Sequence, residues 1–262
     1  MAWFPLSKGL RERRGAVEAH VSEEGGVRTL HLGSDTVQSS MRLSDPNELV
    51  LSYTRAMIGF LLFHREPRHV VMIGLGGGSL AKFCYHRFPA ATITAIEYNP
   101  KVIALARALF FVPPDDERFS VLQADGDQYV RDHPAACDVL MVDAYDHVAQ
   151  VESLATEDFY ARARDALVDD GVLVVNLWST DNRFDTYLQR IERVFDHRVV
   201  CLPAERKGNV AVFALTRRPS MTRFEQLRER ARELEIRTGL EFLKFVGRLS
   251  ELNPHTEHRL LL

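Results

Sequence analysis

A glycine-rich turn directly after an apolar run has the clearest chemical meaning in this sequence. Residues Val70–Ser79 read VVMIGLGGGS, and a second apolar run, TITAIE, ends in the acidic residue Glu97. Glycines after a buried parallel strand let the backbone approach a ligand closely, and the helix that follows presents free N–H groups. A carboxylate at the tip of the next strand can accept hydrogen bonds from a ribose diol. Together these features predict a site for a nucleoside.

Two further acidic sites follow the next two apolar runs. Asp125 and Gly126 come after the third predicted strand, and the segment Asp143–Asp146, which reads DAYD, comes after the fourth. Ligands of an open α/β sheet bind outside the carboxyl ends of its strands, so these residues are expected to share a crevice with the glycine turn. Asp125 can accept the exocyclic N–H of an adenine, or it can simply cap the next helix.

Apolar runs alternate with helical patterns from residue 70 onward, which predicts a doubly wound α/β sheet. The predicted strands are Val70–Ile73, Thr92–Glu97, Phe119–Gln123, Val139–Asp143, Gly171–Leu177, Arg198–Cys201 and Asn209–Leu215. The predicted helices between them are Ser79–Phe88, Pro100–Phe110, Gly126–Arg131, Thr156–Leu167 and Asn182–Phe195. The sequence Asp169-Asp170-Gly171 predicts a turn into the fifth strand.

The chain has a different pattern on either side of this sheet. Short β-prone pieces separated by glycines predict a small N-terminal meander, with strands at Val17–His20, Thr29–Leu32 and Thr36–Met41. Pro46–Phe63 is expected to form a helix, and Phe224–Leu249 is a charged amphipathic stretch that could cover the sheet or pair with a second subunit. We therefore expect a β-meander over residues 1–45, a nucleoside-binding catalytic domain over 46–218 and a helical extension over 219–262.

Composition excludes several classes of function. The 262 residues carry 33 Lys and Arg against 36 Asp and Glu, so the net charge of −3 gives no support for nucleic-acid binding. The basic run Lys8–Arg14 is interpreted as a solvated leader. Cys84, Cys137 and Cys201 have no CxxC spacing and are expected to be reduced thiols of a cytoplasmic protein, without disulfide or metal. No apolar run is long enough for a membrane span, and the N-terminus lacks the pattern of a signal peptide.

The sequence from about Thr36 to Ser179 resembles the spermidine synthase (polyamine aminopropyltransferase) family. The best match is Asp143-Ala-Tyr-Asp146 followed by Val151–Tyr160, VESLATEDFY, which resembles the family's D-x-x-D motif, gating loop and F-Y segment. The family has the class I S-adenosylmethionine methyltransferase fold behind a small N-terminal β-domain. The resemblance therefore implies a Rossmann-like doubly wound sheet of seven strands and a small N-terminal β-hairpin domain.

The resemblance also implies roles for single residues. Glu97 would be the ribose ligand and Asp125 the adenine ligand, while Gln38 in TVQSS would lie near the substrate pocket. Asp143 would be the base that deprotonates the incoming amine, and Asp146 would help to hold that amine. The remaining candidates are Gly74, Gly76, Gly77, Gly78 and Gly126 for the nucleoside, and Tyr53 and Tyr145 for the substrate.

The resemblance implies that the enzyme moves an aminopropyl group from decarboxylated S-adenosylmethionine, or uses S-adenosylmethionine itself, with an amine as acceptor. Aminopropyl transfer is an in-line displacement at a carbon next to a sulfonium, so the enzyme mainly positions the two reactants. The attacking amine must be neutral, although an alkylamine has a pKa of roughly 10. A nearby carboxylate can take its proton, and other carboxylates can bind ammonium groups. A homodimer is expected as well.

Two positions depart from the family's pattern. Spermidine synthases read G-G-G-D-G-G at the glycine turn, where the aspartate holds the amine of the decarboxylated donor, whereas this chain has Gly77 there. The family's Y-H-E or Y-Q-E carries a glutamate for the polyamine, whereas this chain reads Tyr53-Thr54-Arg55. Gly77 would suit the carboxylate of ordinary S-adenosylmethionine. Arg55 would either add positive charge to the outer pocket or pair with an acidic neighbour on the surface.

Three other functions stay open at this point. A methyltransferase that uses S-adenosylmethionine is the main alternative, because Gly77 and Arg55 depart from the synthase pattern. A nicotinamide-dependent oxidoreductase is suggested by Gly74-x-Gly76-x-x-Ser79, but that function leaves the later aspartates unexplained. A non-catalytic protein that retains the nucleoside pocket is the third.

Overall fold

The computed structural model describes residues 19–33, 37–64, 66–145, 151–206 and 208–262. Within these residues the chain forms a three-stranded antiparallel sheet and a seven-stranded mixed sheet with helices packed on both faces. This confirms the predicted α/β class and the small N-terminal β-hairpin unit. The basic run Lys8–Arg14, residues 17, 18 and 36 of the predicted meander, and Asp146 lie outside the described residues.

The elements are bounded as follows. The strands are β1 (Ala19–Glu24), β2 (Val27–Leu32), β3 (Val37–Arg42), β4 (His69–Ile73), β5 (Thr92–Glu97), β6 (Phe119–Gln123), β7 (Cys137–Val142), β8 (Leu167–Trp178), β9 (Val199–Pro203) and β10 (Asn209–Leu215). The helices are α1 (Ser52–Met57), α2 (Ser79–Arg87), α3 (Pro100–Leu109), α4 (Gly126–Asp132), α5 (Glu157–Ala166), α6 (Phe184–Val194), α7 (Phe224–Thr238) and α8 (Phe242–Arg248).

The order of the strands in the large sheet determines where a ligand can bind. The order is β6-β5-β4-β7-β8-β10-β9, with parallel pairing from β6 to β8 and an antiparallel β10. The chain leaves β4 toward β5 and β6 and later returns to β7 on the other side, so the order reverses between β4 and β7. The carboxyl ends of β4 and β7 therefore border the crevice in which such sheets bind ligands.

Alternation along β4 explains why this strand is apolar throughout. Val70 and Met72 belong to the core cluster on one face of the sheet, and Val71 and Ile73 belong to the cluster on the other face. Both faces are buried because successive side chains of a strand point to opposite sides. The strand thus reaches the crevice from the centre of the protein, which fixes the position of the glycine turn that follows.

Three element predictions are wrong in detail. The predicted helix Pro46–Phe63 is helical only from Ser52, as α1 followed by a 3-10 turn, because Asp45 instead closes a local turn by accepting the Asn47 N–H. The amphipathic stretch is two helices, since Gly239 (φ 76°) ends α7 in a left-handed conformation. Asp169 and Asp170 lie within β8, in the irregular segment between Leu167 and Val172 where the pairing with β7 shifts register, and Asp169 is solvated and pairs with Arg217.

The C-terminal helices cover one face of the large sheet. Leu227 and Leu234 of α7 and Phe245 of α8 are buried in the same cluster as Phe60 and Leu61. The extension therefore contributes to the core of this chain, whatever its outer face contacts. No helix among the described residues is long and apolar enough to cross a membrane.

Candidate active site

At Gly74 and Gly78 of the turn after β4, both the backbone conformation and the lack of space require glycine. Gly74 has φ 98°, and a Cβ there would lie 2.3 Å from the carbonyl oxygen of Asp143. Gly78 has φ 71°, and its Cβ would lie 2.3 Å from a methyl carbon of Val112. At both positions the backbone lies in the left-handed region, and a side chain would clash with the neighbouring atom. The turn can therefore lie directly against the loop after β7.

The middle of the turn packs against the N-terminal sheet. Gly76 has φ 53°, and the nearest atom to its Cβ position is Ser39 Cβ, at 3.6 Å. At Gly77 a Cβ would lie 2.7 Å from Ser39 Oγ and 2.8 Å from Phe110 Cδ1. The space in which a side chain at position 77 would begin is thus occupied by β3 and the end of α3. The small sheet forms part of the wall of the crevice.

Glu97 is oriented by backbone amides. It ends β5, where Oε2 accepts a hydrogen bond from the Leu75 N–H at 3.1 Å and Oε1 accepts one from the Asn99 N–H at 2.8 Å. Burial raises the pKa of the Glu97 carboxyl, and the amide donors oppose this rise. The carboxylate is therefore tied to the glycine turn itself, because Leu75 belongs to that turn.

Asp125 and Gly126 begin α4. Asp125 is exposed, and its Oδ1 accepts a hydrogen bond from the Gln128 N–H at 3.0 Å, so it caps the helix as one of the two sequence interpretations anticipated. Gly126 is buried, and a Cβ there would lie 2.4 Å from Ile73 Cγ2. The start of α4 is thereby held against the end of β4. The adenine contact of Asp125 stays a prediction.

Asp143 directly follows β7 and is held by two side chains. Its Oδ1 accepts a hydrogen bond from Asn176 Nδ2 at 2.9 Å, and its Oδ2 accepts one from the Tyr53 hydroxyl at 3.1 Å. Burial raises the pKa of the Asp143 carboxyl, while the two hydrogen bonds oppose the rise. Burial and the Asp143 charge raise the pKa of Tyr53 well above its usual range, so this hydroxyl stays a donor.

The other predicted substrate residues lie around Asp143. The carbonyl oxygen of Gln38 is 3.3 Å from the Tyr53 hydroxyl. The Tyr145 hydroxyl donates to the carbonyl oxygen of Asn176 at 2.8 Å, and the Tyr145 ring stacks on Trp178 with centroids 4.7 Å apart. These contacts place an aromatic surface next to the carboxylate of the predicted base. Asp146 lies outside the described residues, so its role as a second carboxylate stays a prediction.

Sequence reasoning missed Asn176 and Asn209. Asn176 is only 3% exposed on β8, and its Oδ1 accepts a hydrogen bond from Asn209 Nδ2 at 3.0 Å. A single amide in the otherwise apolar run VLVVNLW was the available signal, since buried polar side chains need partners. Its location beside Asp143 could not be inferred without the sheet register.

Arg55 pairs with acidic residues of the C-terminal half. Its Nε donates to Glu241 at 2.8 Å, and a second guanidinium nitrogen lies 3.2 Å from Glu205. Its other contacts are with the carbonyl oxygens of Leu49 and Val50. Of the two alternatives for Arg55, the structure thus shows the ion pairs. The expectation of added positive charge in the outer pocket is wrong, because two carboxylates balance this cation.

The remaining titratable candidates do not form a second centre. The described part of the chain contains no group of three or more His, Cys, Asp or Glu residues placed to hold a metal ion. Cys84, Cys137 and Cys201 are buried free thiols, and burial raises the pKa of Cys201 to about 12. Within the crevice, Gly74 lies between the Glu97 side and the Asp143 side, because its N–H donates to the Ile96 carbonyl and its Cα faces the Asp143 carbonyl.

Comparison with known proteins first defines the class. The fold resembles that of human methyltransferase-like protein 13 in complex with SAH, with a TM-score of 0.65 and 26% identity over 72% of this chain and 93% of that one. It also resembles a spermidine synthase in complex with the transition state analogue AdoDATO, with a TM-score of 0.62 and 22% identity over 82% of this chain and 78% of that one. The large sheet is therefore a Rossmann-like sheet of the methyltransferase type.

The family follows from the sequence comparisons. The model of the spermine/spermidine synthase domain matches residues 51–223. The polyamine aminopropyltransferase of Chromobacterium violaceum is 48% identical over 256 residues, which cover 96% of this chain and 98% of the relative. The chain belongs to the spermine/spermidine synthase family.

Proposed function

We propose that this protein is a polyamine aminopropyltransferase, which moves an aminopropyl group from decarboxylated S-adenosylmethionine to an amine. The observation that carries the proposal is the position of Asp143. The backbone of Asp143 lies against the glycine turn, since a Cβ at Gly74 would be 2.3 Å from the Asp143 carbonyl oxygen. The Asp143 carboxylate, which Tyr53 and Asn176 hold, therefore lies next to that turn. A base and a nucleoside site side by side are what transfer between a sulfonium nucleoside and an amine requires.

In this proposal the donor is held by the residues on the β4 and β5 side. Glu97 accepts the ribose hydroxyls, because the amides of Leu75 and Asn99 already orient its carboxylate. Asp125 accepts the exocyclic N–H of the adenine, and Gly126 lets the backbone stay close to β4. Gly74, Gly76, Gly77 and Gly78 have no side chains, so the backbone of the turn can lie close to the sulfonium end of the donor.

The acceptor is held on the β7 side. Asp143 takes a proton from the ammonium group of the acceptor, and the freed lone pair attacks the methylene carbon bonded to sulfur. The carbon–sulfur bond breaks, its electron pair stays on sulfur, and methylthioadenosine leaves. Burial raises the pKa of Asp143, which makes it a stronger base, and the hydrogen bonds from Tyr53 and Asn176 favour the ionised form that can take a proton. Tyr145, Gln38 and Asp146 position the amine.

A methyltransferase that uses S-adenosylmethionine is the second candidate, and one observation favours it. Ser39 and Phe110 occupy the space into which a side chain at Gly77 would extend, so no carboxylate faces the donor from this position. S-adenosylmethionine carries a carboxylate that could accept hydrogen bonds from N–H groups of the turn. The two candidates differ in the donor and in the group transferred.

One assay separates these candidates. The purified protein is incubated with decarboxylated S-adenosylmethionine and a panel of diamines, and separately with S-adenosylmethionine and the same amines. We expect methylthioadenosine and an aminopropylated amine from the first mixture only. Release of S-adenosylhomocysteine with a methylated acceptor from the second mixture, and no methylthioadenosine from the first, would establish the alternative.

Other expectations from the sequence stay proposals. We propose the boundaries 1–45, 46–218 and 219–262 for the three segments, a homodimer as the assembly, and a cytoplasmic location. Light scattering of the purified protein tests the assembly, because a mass of one 29.8 kDa chain would exclude a stable dimer.

A further inference from the structure

Behind the Asp143 carboxylate lies a chain of two amide side chains. Asn176 Nδ2 donates to Asp143 Oδ1 at 2.9 Å, and Asn209 Nδ2 donates to Asn176 Oδ1 at 3.0 Å. In the antiparallel pairing of β8 with β10, Asn209 is opposite Trp178, two residues from Asn176 on the same face of the sheet. The strand register therefore brings Asn209 to the far side of Asn176 from Asp143.

An asparagine amide has two orientations with opposite consequences for a neighbouring carboxylate. In one, the Nδ2 group donates to the carboxylate and favours its ionised form; in the other, Oδ1 faces the carboxylate and repels it. Asp143 alone favours the first orientation of Asn176, but it does so only while it is ionised. A donor on the opposite side of Asn176 stabilises the same orientation at every pH.

We infer that Asn209 is a positioning residue for Asp143, and that it acts by holding the Asn176 amide with its N–H group toward the carboxylate. This inference rests on the proposed function, in which Asp143 is the base. Asn176 is buried, so an unpaired Oδ1 would be costly, and Asn209 supplies the donor that satisfies it. Substituting Asn209 removes this support without touching Asp143 or the glycine turn.

Among the described residues, two phenols approach Asp143, and neither titrates in the acid range in which the pKa of Asp143 is measured. Tyr53 approaches from α1 and donates to Oδ2, and Tyr145 approaches from the loop after β7. The pKa values of both phenols are raised by burial and by the Asp143 charge. An acid-range change in an Asn209 variant therefore does not come from these phenols, and the carboxyl of Asp143 is followed by its own signal.

The test is a double-mutant cycle with Asn209→Ala and Asn176→Ala. We expect Asn209→Ala to lower kcat by about three- to tenfold and to move the acidic limb of the pH profile to higher pH, because the carboxylate loses its fixed donor. The KM for the decarboxylated donor should change by less than about twofold, since Glu97 and the turn are unaffected. In the Asn176→Ala background, Asn209→Ala should change neither quantity.

Two further measurements keep the test decisive. A ¹³C NMR titration of the Asp143 carboxyl, assigned with Asp143→Asn, measures its pKa even if the protein has no aminopropyltransferase activity. Asn209→Gln retains an amide donor and should recover part of the loss if Asn209→Ala destabilises the fold. Ser179→Ala is the control, because Ser179 is exposed at the same end of β8 and, among the described residues, its hydrogen-bond partner is the Gly208 carbonyl.

The outcomes separate the two proposals. Absence of aminopropyl transfer by the unmodified protein overturns the proposed function, whereas the NMR titration still tests the positioning. An unchanged Asp143 pKa in Asn209→Ala overturns the inference while leaving the proposed function intact. An equal effect of Asn209→Ala with and without Asn176 also overturns it, because the action would not pass through Asn176.

Discussion

The two carboxylates of the crevice are held in different ways. Glu97 accepts its hydrogen bonds from the backbone amides of Leu75 and Asn99, whereas Asp143 accepts its bonds from the side chains of Tyr53 and Asn176. Most substitutions leave a backbone N–H in place, because only proline lacks it, whereas a phenol or an amide side chain is lost on substitution by alanine. Backbone geometry therefore orients Glu97 on the side of the crevice that holds the nucleoside (the donor half), and side chains orient Asp143 on the side that holds the amine (the acceptor half).

The largest effect on folding and nucleoside binding is expected at Gly74, where the two halves meet. Gly74→Ala places a Cβ 2.3 Å from the Asp143 carbonyl oxygen in a backbone conformation with φ 98°, so the turn and the loop after β7 must separate. We expect loss of at least about 3 kcal/mol in the free energy of unfolding, or loss of about a hundredfold in affinity for methylthioadenosine. Urea denaturation and calorimetric titration measure the two quantities.

Gly26→Ala is the matched control for Gly74→Ala. Gly26 also has a positive φ, 75°, but nothing lies within 4 Å of its Cβ position. The Gly26→Ala substitution should lower the free energy of unfolding by only about 1 kcal/mol, through backbone strain, and leave ligand binding unchanged. Equal losses of stability and of methylthioadenosine affinity in the two variants would mean that the close approach of Gly74 to Asp143 contributes to neither.

Glu97→Gln tests the donor half alone. The side-chain amide keeps the shape of the carboxylate, but one of its ends becomes a donor that faces the Leu75 or Asn99 N–H. We expect the affinity for methylthioadenosine to fall by about thirtyfold, since a charged acceptor is lost and an amide is left unpaired. The pH profile of turnover at saturating donor should keep its shape. A shifted acidic limb would contradict the separation of the two halves.

Tyr53→Phe tests the acceptor half alone. Oδ2 of Asp143 loses its donor, so the pKa of the carboxyl rises further above its usual value and less of the base is ionised in mildly acidic solution. The acidic limb of kcat/KM should move to higher pH, with a loss of about tenfold at pH 6. Methylthioadenosine binding should stay unchanged. Weaker nucleoside binding in this variant would show that Tyr53 serves the donor as well.

The smallest effect on activity is expected at Lys82, behind the glycine turn. Its side chain is fully buried, and its ammonium donates to the carbonyl oxygens of Pro46 and Phe110 at 2.6 and 2.7 Å. Burial lowers the pKa of Lys82 to about 8. At pH values between about 8 and the higher pKa that Lys82 has in the unfolded chain, the unfolded state binds more protons than the folded state. The contribution of Lys82 to stability therefore becomes more favourable as the pH rises through this range.

Lys82→Met removes this dependence. The difference in unfolding free energy between the unmodified protein and Lys82→Met should shift by about 2 kcal/mol in favour of the unmodified protein between pH 7.5 and 9.5. Urea denaturation at both pH values measures the difference, and Lys101→Met is a control at an exposed lysine. A pH-independent difference would mean that the Lys82 ammonium keeps its ordinary pKa in the folded protein.

The sequence predicted the donor half better than the acceptor half, because backbone amides orient Glu97 whereas side chains from distant parts of the chain orient Asp143. The glycine turn and Glu97 lie at the ends of adjacent apolar runs, and strands β5, β6 and β10 have the bounds that periodicity indicates. Local patterns suffice where backbone geometry determines the site. They do not reveal Asn176 and Asn209, because the contact of Asn176 with Asp143 and that of Asn209 with Asn176 depend on the pairing of β8 with distant parts of the chain.

The errors have the same origin in long-range contacts. Arg55 follows Tyr53 by two residues, which suggested a place in the pocket, but its partners Glu205 and Glu241 come from the far end of the sequence. The predicted turn at Asp169-Asp170 has a turn-like composition, yet these residues continue β8, where Arg217 near the C-terminal end of the sheet pairs with Asp169. Composition could not report either partner.

The most direct test of this account measures nucleoside binding and turnover together in Asp143→Asn. The asparagine cannot take a proton, so turnover with decarboxylated S-adenosylmethionine and a diamine should fall by about a thousandfold. Calorimetric titration with methylthioadenosine should give a Kd within about twofold of that of the unmodified protein, because Glu97 and the turn hold the nucleoside. Retained turnover, or a parallel loss of binding and turnover, would contradict the assignment of Asp143 as the base on the acceptor side.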